Sequence, residues 1–268
     1  MKTYEYHRFL DEAGDATFYG KGKIPIIGTN GVSNVFILGM LHLKQDLEAT
    51  REQIIFLQNK IAQSKYYQNV PSVKKRVQEG GFYFHAKDDL PEIRKEFFDF
   101  ILGLELSFQA VAARKIVSLF EKKHNGKESE FYADLLSHLL KDKLQKQGRL
   151  VLNIAEKGSS TSIQNLEKGL SKAQERFIKK FPNSAQSIKI TFNVQRFNKE
   201  PLLAISDYFC WAIQRVFEKG ECRYYDYMNE KISLVVDLYD QENYSKGKNY
   251  YTPKNPLTEK NKVSPHTP

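Results

Sequence analysis

Tyr4-Glu5-Tyr6-His7-Arg8-Phe9-Leu10 runs directly into Asp11-Glu12-Ala13-Gly14-Asp15. The aromatic, β-favouring residues predict a strand over 4–10, and the acidic and glycine residues after it predict a turn. Asp11 is thereby expected at the carboxyl end of a strand. Residues 20–34 hold Gly20, Gly22, Pro25, Gly28, Asn30 and Gly31, a density of chain breakers that predicts an open loop. The run over 35–43 predicts a second strand, antiparallel to the first.

Outward from this pair the pattern changes period. Leu47, Ile54, Leu57 and Ile61 recur at helical spacing, predicting an amphipathic helix over about 45–65. Gly80-Gly81-Phe82-Tyr83-Phe84-His85-Ala86 reads as a short strand or extended segment. Pro91 opens a helix to about 104, and residues 107–115 have strand character. A helix over about 128–147 is closed by Gly148 before a strand over 150–155. Ser159-Ser160-Thr161-Ser162 caps a helix carrying Ile163, Leu166, Leu170, Ala173 and Phe177, closed by Pro182-Asn183. Strands over 188–194 and 232–236 flank a helix from about 201 to 218, which Lys219-Gly220 ends. Strands alternating with helices after an antiparallel start predict an α/β fold, a mixed sheet of about five strands flanked by helices.

The chain has 268 residues, near the upper size of one domain, so one domain with insertions is expected over 1–240. From 241 onward Lys, Asn, Pro and Ser dominate and apolar periodicity stops, which predicts a flexible polar tail through His266-Thr267-Pro268. The start has no signal-peptide core and no stretch is apolar for the length of a membrane span, so a cytoplasmic location is expected. Cys210 and Cys222 stand in no CxxC or Cys/His pattern, which argues against a disulfide framework or structural zinc. The formal charge of +9 favours a polyanionic partner. Each basic run, such as Lys74-Lys75-Arg76, Lys122-Lys123 or Lys179-Lys180, reads by itself as a solvated face.

Asp207 carries the most chemical information. Its neighbours three and four places away are Leu203, Ala204, Cys210 and Trp211, so a carboxylate there either points outward to solvent or needs a partner or a raised pKa. A divalent cation is one such partner; an Arg or Lys is another. Asp11, Glu12 and Asp15 crowd like charges at a strand end, where α/β sheets place ligands. A hard, oxygen-liking ion such as Mg²⁺ or Mn²⁺ would neutralise them, while the plainer reading is a polar turn. Glu156 ends the strand over 150–155 and is positioned to reach the same sheet edge, or solvent. His85 is suited to a phosphate contact or proton transfer, or to a structural role. Asp88 and Asp89 are alternative caps for the helix after Pro91.

Three stretches carry a resemblance. Phe9-Leu10-Asp11-Glu12-Ala13-Gly14-Asp15 resembles the strand-end DESG signature of domain-of-unknown-function family 3800, with Ala13 in place of serine. Phe84-His85-Ala86 resembles its FHA-type element, and residues 205–215, Ile-Ser-Asp-Tyr-Phe-Cys-Trp-Ala-Ile-Gln-Arg, resemble its closing ADYxxWAxxR helix. They span residues 9–215 in the family's order. That family is grouped with the ribonuclease H-like superfamily, whose members hold one or two metal ions with acids from the first strand, a central strand and the final helix. The resemblance implies Asp11, Glu156 and Asp207 as metal ligands and Glu12 as a fourth acid, with Glu130 and Asp134 as other candidates.

The expectation is therefore a divalent-metal-dependent nuclease using Mg²⁺ or Mn²⁺, in which two ions roughly 4 Å apart activate water and stabilise the leaving oxygen. Asp11, Glu12, Glu156, Asp207 and His85 form its catalytic set, and Lys87 and Arg215 contact the nucleic acid. Such chemistry serves RNA or DNA, in housekeeping or in mobile-element or phage defence. The alternative is a non-catalytic relative that binds nucleic acid or a protein partner through its basic surface.

Overall fold

A computed structural model of the chain describes residues 4–29, 31–144, 148–157, 161–182 and 188–263. Asn30, Gln147, Ser159, Ser160, Asn183 and 266–268 lie outside the described residues. In chain order the elements are β1 (Glu5–Ala13), β2 (Val35–Leu43), α1 (Leu47–Gln63), α2 (Pro71–Gln78), α3 (Pro91–Leu102), β3 (Leu106–Arg114), α4 (Val117–His124), α5 (Glu128–Leu140), β4 (Gly148–Ala155), α6 (Ile163–Lys180), β5 (Ile188–Gln195), α7 (Leu203–Lys219), α8 (Arg223–Met228), β6 (Ile232–Asp237), α9 (Gln241–Tyr244) and β7 (Tyr250–Tyr251).

The strands form one mixed sheet in the order β5-β4-β1-β2-β3-β6-β7. β2 is antiparallel to β1 and β3, and β7 to β6; the other neighbours are parallel. The chain is thus α/β, with seven strands among the described residues instead of about five. β6 and β7 extend the β3 edge, and β7, at two residues, is too short to show a period. Residues 82–85 form no strand, and residues 86–88 form a turn.

Side chains alternate across the sheet and build a core on each face. Phe9, Ala13, Val35, Ile37 and Leu41 pack with α1, α3, α7 and α8, whereas Leu10, Phe36, Leu38 and Met40 pack with α4, α5 and α6. α7 lies close on β2 because Gly39 has no Cβ. One added there would fall 2.2 Å from the Phe108 ring and 2.5 Å from Cys210 Sγ.

β1 is longer than its composition predicts. Pairing with Gly39, Leu38 and Ile37 carries it through Asp11 and Glu12 to Ala13, so the ladder overrides the turn preference of the acids. The turn begins at Gly14, whose φ of +86° and close approach to Val35 O exclude a side chain. α5 stops at Leu140, short of 147, and Gly148 opens β4 instead of ending the helix.

The segment after 240, expected as a flexible tail, is built into the fold as far as residue 263. Tyr251 and Tyr250 pair with Val235 and Val236, while Leu257 and Val263 are buried in the core. The Val263 N–H donates to Phe217 O at 2.7 Å. These anchors are single apolar residues separated by polar ones, so no period betrays them. No helix among the described residues is long and apolar enough to cross a membrane.

Candidate active site

Alternation along β1 turns Asp11 toward α7 and Glu12 toward the opposite face. Two α7 side chains one helical turn apart fasten the helix to β1. Ser206 Oγ donates to Phe9 O at 3.0 Å, and the Cys210 thiol donates to Asp11 O at 3.2 Å. Asp207 lies between them in sequence and is brought to the side of Asp11. Both carboxylates are buried, at 5% and 7% exposure. Burial, and then the charge of Asp207, push the Asp11 carboxyl well above its usual range. Asp207 is also raised, chiefly by burial and further by Asp89, while His85 and the Ala86 N–H oppose the rise.

The residues around His85 are fixed by backbone contacts. Asp207 accepts the Ala86 N–H at 2.6 Å. Asp89 accepts the His85 N–H at 2.9 Å and the Tyr208 hydroxyl, and pairs with Arg76 at 2.7 Å. Asp89 therefore organises this segment instead of capping α3, whose N-cap is Leu90 without a side-chain bond. The half-buried His85 ring has Nδ1 3.3 Å from Asp88 and meets the Phe197 ring edge-on.

A pocket of about 710 Å³ opens over this place. Its wall includes Glu12, Gly14, His85, Lys87, Lys157, Asp207, Trp211, Gln214 and Arg215, with the loop residues Gly28 and Gly31–Asn34 opposite. Asp11 is not part of the wall. Glu12 Oε1 is 3.1 Å from Lys157 Nζ, which also donates to Gly14 O at 2.7 Å. Arg215 shares its Nε with Glu221 at 2.7 Å and lies over the Trp211 ring, and Lys87 is exposed at the mouth.

Glu156 is not at this site. β1 and β4 pair in register up to Leu10 and Ile154, so Ala155 is level with Asp11 and joins the α7-side core. One residue further, Glu156 is half-exposed and pairs with Arg196 at 2.6 Å. Glu130 and Asp134 are engaged elsewhere, and Asp15 lines the pocket but is held by other partners. Glu130 pairs with Lys168 and Lys172, and Asp134 with Arg176, Lys123 and the Tyr239 hydroxyl. Asp15 accepts the Ser33 N–H and pairs with the buried Lys115, 2.8 Å away.

Lys157 was not among the residues expected here, although it follows Glu156 directly; the register that sends the acid outward brings the lysine in. Glu218 holds the loop to α7 by accepting the Asn34 and Val35 N–H groups at 2.6 and 2.9 Å. Among the described residues no three His, Cys, Asp or Glu side chains gather as a metal-binding group. The two buried carboxylates nonetheless suit a hard cation in donor chemistry, since Mg²⁺ is commonly held by one or two carboxylates with water and substrate phosphate completing its shell. No protein-family model matches the chain, and no curated protein matches it.

Proposed function

We propose that the chain is a divalent-metal-dependent nuclease with a ribonuclease H-like fold, acting in the cytoplasm. The observation that carries this reading is the juxtaposition of Asp11 and Asp207, two buried carboxylates on β1 and α7, beneath a pocket rimmed by Lys87, Lys157 and Arg215. Both are acids that the resemblance to domain-of-unknown-function family 3800 implies, and the interior position of β1 in a mixed sheet supports the same fold.

Asp11 and Asp207 would hold Mg²⁺ or Mn²⁺, and the ion would supply Lewis-acid activation of water and of a phosphate oxygen. Hydrolysis adds water across one P–O bond. Its oxygen bonds to phosphorus, one proton ends on the leaving oxygen, and the other is taken up by base or solvent. With Nδ1 facing Asp88, His85 has Nε2 to exchange that proton. Lys87 and Arg215 hold backbone phosphates, Arg215 with its guanidinium oriented by Glu221 and Trp211.

A binding module without catalysis is favoured by two ion pairs, Glu12 with Lys157 and Glu156 with Arg196. Cleavage of labelled single- and double-stranded RNA and DNA with Mg²⁺ or Mn²⁺ separates the two. Metal-dependent cutting lost in both Asp11→Asn and Asp207→Asn supports the nuclease. Absence of cutting by folded wild type on every substrate shifts the reading to the module.

A further inference from the structure

We infer that the Lys157 ammonium takes the place of a second metal ion, so that the site works with one divalent cation beside a lysine. The inference rests on the nuclease reading above and concerns how many ions that site holds.

Lys157 occupies the position of a cation by its contacts. Its Nζ is 3.1 Å from Glu12 Oε1 and 2.7 Å from the Gly14 carbonyl, two oxygens of the kind a hard metal would recruit. It lines the same pocket as Asp207. The Lys157 N–H donates to Thr161 Oγ1 at 3.0 Å, which fixes the chain where it leaves β4.

The ligand supply agrees. A pair of ions clamped on one phosphate needs carboxylates enough for both. Here Ala155 stands level with Asp11, Glu156 turns away to Arg196, and Glu12 already faces the lysine.

Mn²⁺ titration by calorimetry, with bound ion counted by electron paramagnetic resonance, tests this on the full chain without reference to activity. The wild type should bind one Mn²⁺ that Asp207→Asn loses. Lys157→Gln should bind two, and Lys157→Arg, which keeps the charge, should bind one. Two ions on the wild type, or one on Lys157→Gln, would overturn the inference and leave the metal-dependent reading standing. No ion on the wild type would overturn both.

Discussion

Asp207 accepts the Ala86 backbone N–H at 2.6 Å, so an α7 carboxylate that faces Asp11 also fixes the segment bearing His85 and Lys87. Tyr208, the next residue, reaches the same segment through Asp89. The packing of α7 on the sheet therefore sets three parts of the pocket together: the buried acids, the histidine and the basic mouth.

The buried acid pair should make the metal-free protein less stable as pH rises. The folded-state pKa of Asp11 lies above the ordinary 3.8, so the folded state holds its proton more tightly. Stability is then lost from about pH 4 upward until that raised pKa is passed. Asp11→Asn should remove the Asp11 share of this loss, worth at most about 1.4 kcal/mol per pH unit in the window, while Asp207 keeps its own. Melting temperatures of both proteins with EDTA across that range give the comparison; parallel profiles would refute it.

Glu156→Gln should change little. Its partner Arg196 is largely exposed, and surface ion pairs contribute little to stability. The urea midpoint should stay where it is, with metal-dependent cleavage kept. A loss of cleavage would return Glu156 to the catalytic set.

Asp134→Ala should destabilise strongly without being a ligand defect. The side chain is the shared partner of Arg176, Lys123 and Tyr239, and these hold its carboxyl well below the usual range. Arg176 and Lys123 can turn to solvent, which lowers the cost from that of a fully buried pair to about 2–4 kcal/mol. Denaturant unfolding reads the cost, and Mn²⁺ binding by the folded fraction should be unchanged.

Gly39→Ala should damage fold and site together. The new methyl would meet Phe108 and Cys210 well inside contact distance, pushing α7 outward at about 1–3 kcal/mol. Since α7 carries Asp207, cleavage should fall in protein that is still folded by circular dichroism. Full activity with unchanged stability would mean the helix yields without moving the acid.

Buried His124 should act in acid. Burial lowers its pKa from 6.5 to about 4, so the unfolded chain takes up a proton first and stability falls as pH drops from 6.5 toward 4. His124→Gln should flatten that decline by up to about 1.4 kcal/mol per pH unit. Denaturant midpoints at pH 7, 6, 5 and 4 supply the test.

Much of the architecture is legible in the residues themselves. The bounds of β2, the start of α3 at Pro91 and the end of α7 at Gly220 follow from period and punctuation, because those signals are local. The apolar flanks of Asp207 likewise mark it as a buried carboxylate before any contact is known. Other features depend on partners distant in sequence. Pairing with β2 extends β1 through Asp11 and Glu12 and sends them to opposite faces, and isolated apolar residues dock the segment after 240. A period-two strand makes one residue of register the difference between site and solvent. Local period and punctuation therefore determined an α/β chain with acids at strand and helix positions; only the β1–β4 alignment decided that Lys157, and not Glu156, lines the pocket with Glu12 and Asp207.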